Sequence, residues 1–328
     1  MSTQQLNKTI SYQVFLILIV SLGIALAPRF DEPSADWPAG DLALVIPSGP
    51  GGGFDTYARV LARAMEERLD VNVIPKNIPG GDGQRGATVA YAAVPDGQTF
   101  AIFNLPGVME PEITGEEIGY AIDAIDWLGA MAFGQYIVVA HADSPYDTIA
   151  DLKAVGEPIS FTAYGSSGIA ANKVLCAEVG LECRIITGYP SNNEALLGVV
   201  RGDAVASVLP ISTAIAFNRN GDLKGILLMT EREVPAFVDA QKTIDAGYPG
   251  LTQLGLLRAF GLPPGVPADT RAAFGAAFDA ALHAESVASW AEATASELTP
   301  MSAEALRARI GSQRAMLTRY RDVIAVAH

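Results

Sequence analysis

The chain has 328 residues, enough for about two domains of ordinary size. Half of the residues are apolar and 18% are charged, a composition that excludes a disordered chain. The formal net charge of −14 argues against nucleic acid as a partner, since nucleic-acid binding needs a basic surface, and three histidines with two cysteines leave little material for a metal centre. We expect an acidic globular protein with no metal and no cofactor.

The amino terminus carries a short apolar segment. Residues 14–27 read VFLILIVSLGIALA and follow a polar stretch with one lysine, Lys8. A helix of this length spans about 21 Å, less than the roughly 30 Å of a bilayer core. The segment is typical of a secretory signal, although Pro28 disfavours cleavage directly before it. We predict export to the periplasm or another extracytoplasmic space, with residues 1–27 either cleaved as a signal peptide or retained as an anchor.

Short apolar runs alternate with helical patterns along the rest of the chain. The runs are mostly continuous, as in strands with helices on both sheet faces. They predict strands at residues 42–46, 71–74, 99–103, 127–131, 136–141, 159–163, 184–187, 204–209 and 225–229. A helical tail follows from residue 269. This order predicts an α/β protein with mainly parallel sheets.

Several helix starts are readable. An amphipathic helix begins near Asp55. Ser144 with Asp147, and Ser191 with Glu194, have the spacing of capping boxes, in which two residues satisfy each other's free backbone donors.

The loop after the first predicted strand is rich in glycine and runs directly into the Asp55 helix. Backbone N–H groups at such a turn, together with the helix dipole, form a cradle for an anion without any basic side chain. Such a turn can also bind nothing. Similar turns follow later strands at Asn104, at residues 165–168 and at residues 188–193. Because the carboxyl ends of parallel strands line one crevice, we expect these turns to meet around one ligand.

The sequence offers little for catalysis. Residues 81–86 match G-x-G-x-x-G but lack the tight turn from a strand, and residues 165–168 lack the last glycine of a nucleophile elbow. The three histidines have no metal-ligand spacing. Binding is therefore favoured over catalysis. Two rivals stay open: an enzyme acting on a carboxylate with Asp55 as general base, and a sensory receptor.

Cys176 and Cys183 lie at a predicted helix end and at the next strand. In an oxidising compartment they can form a disulfide that closes a short loop. Two buried thiols are the alternative.

Six motifs in order resemble those of the tripartite tricarboxylate transporter substrate-binding proteins, also called the Bug family. Residues 50–59 resemble P-G-G-x-x-D-x-x-A-R, and residues 77–83 resemble N-x-P-G-A-G-G. The other four lie at residues 95–100 (P-D-G-Y-T-L), 165–168 (G-S-x-G), 198–203 (L-L-x-G-x-V-D) and 263–267 (P-A-G-T-P).

The resemblance implies a two-lobed periplasmic binding protein fold, type II-like, with a ligand cleft between the lobes. The first lobe would be residues 38–133 and 252–328, and the second 134–251. A monomeric receptor would capture a small carboxylate and deliver it to integral membrane carrier subunits. The resemblance implies that the acid lies against two loops, and their candidate ligand residues are Gly51, Gly52, Gly53, Phe54 and Asp55 in the first and Gly165, Ser166, Ser167 and Gly168 in the second. The residues of the other turns add the candidates Asn104, Tyr189, Ser191 and Asn192.

Three departures from the family pattern bear on the ligand. Phe54 stands where the family commonly has threonine or serine, and Tyr189 lies where many members have a K-G-G loop. Arg258 lies in the region where a tryptophan often precedes P-A-G-T-P. We therefore predict a carboxylate whose apolar or aromatic body packs on the two rings. Two alternatives stay open. One is that either ring packs within its own lobe, and the other is that Arg258 is the second anchor of a diacid.

Overall fold

The computed structural model describes residues 37–294 and 296–326, so the predicted signal segment lies outside the described residues. The strands are β1 (Leu42–Ile46), β2 (Val73–Asn77), β3 (Thr99–Leu105), β4 (Asp126–His141), β5 (Ile159–Thr162), β6 (Cys183–Ile186), β7 (Ala206–Pro210), β8 (Leu223–Leu228), β9 (Gln241–Lys242), β10 (Gly255–Leu262) and β11 (Met301–Ser302). The helices are α1 (Gly53–Leu69), α2 (Gln84–Tyr91), α3 (Glu110–Thr114), α4 (Ile149–Ala154), α5 (Gly165–Val179), α6 (Asn192–Arg201), α7 (Ile211–Arg219), α8 (Ala268–Leu282), α9 (Glu285–Thr294), α10 (Ala303–Arg319) and α11 (Arg321–Ala325).

These strands form one mixed sheet. The order is β2-β1-β3-β10-β4-β7-β5-β6, with β8 and β11 also paired to β4, and β9 paired to β8. The outer strands β2-β1-β3 and β7-β5-β6 pair parallel, as predicted. Pairings made by β10 and β4 are antiparallel, because these two strands run back through the middle of the sheet.

Strand β4 joins two halves of the molecule. Its first part, up to Gln135, pairs with β10, and its second part, from Tyr136, pairs with β7 and β8. We call β1–β3, β10, β11 and residues 126–135 the first lobe, and residues 136–141 with β5–β9 the second lobe. The sequence predicts two strands here because Gly134 and Gln135 interrupt the apolar run. The structure makes them one strand, since every side chain from Trp127 to Ala140 is buried.

Strand β10 is absent from the predicted elements. Two glycines and Arg258 break its apolar pattern, yet it lies between β3 and β4 at the centre of the first lobe. Phe260 and Leu262 of β10 join a core between the sheet and helices α1 and α8, in which Phe100, Phe274 and Phe278 are also fully buried.

Helix ends largely follow the sequence, with one correction. Ser191 caps α6, accepting the Glu194 N–H at 3.2 Å. The cap of α4 is Thr148 with Asp151 rather than Ser144 with Asp147: the Asp151 N–H reaches the Thr148 hydroxyl, and the Asp151 carboxylate accepts the Thr148 N–H at 2.8 Å.

Cys176 and Cys183 form a disulfide that joins α5 to β6, with 6.2 Å between their Cα atoms. In the part of the chain that the structure describes, no helix combines the length and apolar character that crossing a membrane requires.

Candidate functional site

The glycine-rich loop between β1 and α1 is held by Asp55. This side chain is buried, and its carboxylate accepts the Gly51 N–H at 2.9 Å, the Arg59 Nε–H at 2.9 Å and the Asn77 amide at 2.8 Å. The hydrogen bond from Arg59, supported by those from Asn77 and Gly51, lowers the pKa of Asp55 from 3.8 to about 2. The structure therefore gives Asp55 an internal role in fixing the loop, and a carboxylate with so low a pKa is a poor general base.

Arg258 lies beside the start of α1. It stands on β10 directly opposite Asn104 of β3, so the two side chains share one face of the sheet. Its guanidinium carbon lies 4.2 Å from the centre of the Tyr57 ring and 5.7 Å from that of Phe54. A Cβ placed on Gly53 would lie 3.7 Å from its Nη2 atom.

This guanidinium has few internal partners. Arg258 is only 8% exposed, its Nε atom is buried without a hydrogen-bond acceptor, and no carboxylate among the described residues lies within 4 Å. Burial lowers the pKa of Arg258, although arginine stays charged at any physiological pH. A buried cation without a paired acceptor at a helix N-terminus is suited to an incoming anion.

The turn at the start of α5 holds an anion that belongs to the chain. Asp82 Oδ2 accepts hydrogen bonds from the Ser166 hydroxyl at 2.7 Å, the Ser167 hydroxyl at 2.8 Å and the Ser167 N–H at 3.0 Å. Asp82 Oδ1 accepts the Asn104 side-chain amide at 3.0 Å. Thus Asn104, Gly165, Ser166 and Ser167 do converge, but on Asp82.

A second carboxyl group lies near this cluster. Glu110, at the start of α3, is 6% exposed, and its Oε1 atom has no hydrogen-bond partner. Burial, with the negative charge of Asp82 adding to it, raises the pKa of Glu110 to about 8. Glu110 is therefore mainly neutral at pH 7 and adds little negative charge to the site.

The side chains of the turn between β6 and α6 make contacts within their own lobe. The Tyr189 ring lies over α6: a Cβ placed on Gly198 would come within 2.9 Å of the ring, and the Tyr189 hydroxyl faces Asp203 at 3.4 Å. The ring packs within its own lobe, the alternative that the sequence left open, and a contact between Tyr189 and the ligand stays a prediction. The Ser191 hydroxyl is used as the cap of α6, and Asn192 is the first residue of that helix.

Phe54 and Gly168, two further candidate residues, lie at the starts of different helices. The Phe54 ring is half-buried against the core of the first lobe and under Arg258, beside the start of α1. Gly168 lies within the first turn of α5, where its carbonyl accepts the Asn172 amide at 2.8 Å.

Comparison with known proteins identifies the family. The sequence matches the profile of the family described as "Tripartite tricarboxylate transporter family receptor" over residues 57–316, most of the chain. The chain belongs to this family. It is a solute receptor of the periplasmic binding protein fold and not an enzyme, as predicted. Receptors of this family are periplasmic and work with membrane components of a transporter.

Individual relatives are distant. The receptor is 26% identical over 251 residues to a UPF0065 protein of Bordetella pertussis, covering 74% of this chain and 77% of that protein. The structure of a TctC solute binding protein from Polaromonas matches with a TM-score of 0.74 at 20% identity, over 88% and 99% of the two chains. MatC from Rhodopseudomonas palustris, solved with bound malate, matches with a TM-score of 0.71 at 20% identity, over 88% and 100%. The structural matches establish the two-lobed fold.

Sequence reasoning did not assign Asp82 or Glu110 to the site. One signal was present for Asp82: it occupies the sixth position of the N-x-P-G-A-G-G motif, where the family has glycine. Glu110 carries no comparable signal, because only the fold buries it beside Asp82.

Proposed function

We propose that this receptor captures a small carboxylate between its lobes, with the acid group held by Arg258 and the backbone donors at the start of α1. The buried guanidinium with its unpartnered Nε supports this proposal most directly. A carboxylate matches the fork of an arginine in shape and charge. The related fold of MatC, solved with malate, agrees with an acidic ligand.

We also propose that the ligand is delivered to integral membrane carrier subunits by a monomeric receptor, exported by the segment at residues 1–27. The net charge of −14 supports a receptor without a nucleic-acid partner. The lobe boundaries predicted at 133/134 and 251/252 remain part of the proposal, supported by the change of β4 partners at Gln135 and Tyr136.

Calorimetric titration of carboxylic acids and their matched amides, for example benzoate against benzamide and hexanoate against hexanamide, tests the acid requirement. The proposal expects acids to bind and amides to fail. Arg258→Met should weaken acid binding about 10- to 150-fold, because a hydrogen bond to a charged group contributes about 1.5–3 kcal/mol. Amides that bind as well as acids would contradict the proposal.

Two controls accompany this variant. Arg309→Met removes an arginine that also stacks on an aromatic ring, 4.7 Å from the centre of Phe133, and should leave acid binding unchanged. Arg258→Met should unfold no more easily than the natural protein, because removing a buried unpaired charge offsets the loss of the two ring contacts. A marked loss of stability would point to a structural role for Arg258.

A further inference from the structure

The turn at the start of α5 is already filled by the chain's own carboxylate. All three donors to Asp82 Oδ2 come from Ser166 and Ser167, residues expected to bind a ligand acid. The fourth donor is the side-chain amide of Asn104, on the strand next to Arg258. Every hydrogen bond that this turn could give to a ligand carboxylate through these groups is therefore directed at Asp82.

The backbone conformation around Asp82 fits the hydrogen bonds that its carboxylate makes to the α5 turn. Asp82 has φ 46° and ψ 35°, a left-handed conformation that glycine adopts freely and aspartate only occasionally. The family motif has glycine at this position. Gly107 completes the fit, since a Cβ placed there would lie 2.9 Å from Asp82 Oδ2. The unfavourable conformation and the close approach are compensated by the four hydrogen bonds.

The Asp82 contact also connects the lobes. Asp82 follows β2 in the first lobe, while Ser166 and Ser167 begin α5 in the second. A ligand acid bound between two lobes would make such connecting hydrogen bonds itself. Here a side chain of the receptor makes them.

We propose that Asp82 is a tethered carboxylate that takes the place of a second ligand acid group, so that the receptor selects monocarboxylates and rejects dicarboxylates of the same length. The inference rests on the proposed function, because it assigns the one remaining acid site to Arg258. A second ligand carboxylate would have to displace Asp82 or lie against its negative charge, and both are unfavourable. The half-buried Phe54 ring beneath Arg258 suits an apolar ligand body.

The test compares matched acid pairs by calorimetric titration: butyrate with succinate, hexanoate with adipate, and benzoate with terephthalate. The natural receptor should bind at least one monocarboxylate ten or more times more tightly than its paired dicarboxylate. Asp82→Gly should raise dicarboxylate affinity at least tenfold and change monocarboxylate affinity less than threefold. Asp70→Gly is the matched control, because Asp70 is also a left-handed aspartate, with φ 54°, but lies at the exposed end of α1. It should leave the preference unchanged.

Hydrogen exchange of the peptide containing residues 165–169 gives a second readout. Asp82→Gly should expose the Ser167 N–H to faster exchange, and a dicarboxylate should restore the protection while a monocarboxylate should not. If the natural receptor binds monocarboxylates but Asp82→Gly leaves the preference unchanged, the role of Asp82 is refuted and the proposed function stands. Equal or tighter dicarboxylate binding by the natural receptor also refutes it. If neither protein binds any acid, both proposals fall.

Discussion

Replacing Asp55 by asparagine should destabilise the receptor by removing the charge that holds the glycine-rich loop. Lowering the pKa of a buried carboxyl from 3.8 to about 2 corresponds to about 2.5 kcal/mol at pH 7, since each pKa unit is worth about 1.4 kcal/mol. The asparagine side chain has the shape of the neutral acid, but its amide group would face Arg59 or Gly51, both of which are donors. The variant should therefore lose roughly this free energy of unfolding.

The effect should depend on pH in one direction. The pKa of Asp55 is lower in the folded than in the unfolded protein, so its stabilisation is present above about pH 4 and is lost as the pH falls through 2. Urea unfolding followed by circular dichroism should show a difference of about 2.5 kcal/mol at pH 7 that shrinks to about 1.3 kcal/mol at pH 3. Asp96→Asn, which removes an exposed carboxylate, serves as the control. A difference below about 1 kcal/mol at pH 7, or one that does not change with pH, would refute the role given to Asp55.

Three further outcomes are expected. Replacing Cys176 and Cys183 together by serine should lower the free energy of unfolding by about 2.5 kcal/mol, the chain-entropy value for a loop of this size; an unchanged urea midpoint would contradict it. Glu110→Gln should gain stability over the natural protein as the pH rises from about 4.5 to 8, because above its ordinary pKa of 4.5 the acid ionises in the unfolded chain, whereas burial keeps it neutral in the folded protein up to about pH 8; thermal melts across this range would show an absent or reversed trend if the assignment is wrong. Tyr189→Ala should change acid affinity less than twofold in calorimetry, because the ring packs on Gly198, and a tenfold loss would restore the ring to the ligand site.

The strand pattern of the fold could be predicted because the outer strands are short, continuous apolar runs between clear helix signals. Strand β10 could not, since Arg258 and two glycines interrupt its pattern and its burial comes only from β3 and β4 on either side. One of these interrupting residues, Arg258, is the residue on which the proposed site depends most. Burying a charged residue in the middle of a strand costs folding free energy. Such residues occur at functional sites, which local sequence propensity does not reveal.

The site could be predicted as a set of turns but not as a set of contacts. Glycine and serine at strand ends correctly located the starts of α1 and α5, because helix starts have common sequence signals. Sequence spacing could not show that Ser166 and Ser167 would bind Asp82, which lies more than 80 residues earlier. Nor could it show that the Tyr189 ring would lie over α6, since the space beside Gly198 that holds the ring exists only in the folded lobe.

The proposed function requires that a ligand carboxylate binds Arg258 at the start of α1. A crystal structure of the receptor with the tightest-binding acid of the matched panel tests it most directly. We expect a carboxylate oxygen about 3 Å from the guanidinium nitrogens of Arg258, with Asp82 still bound to Ser166 and Ser167. An acid bound at another place, with the Arg258 guanidinium untouched, would contradict the claim.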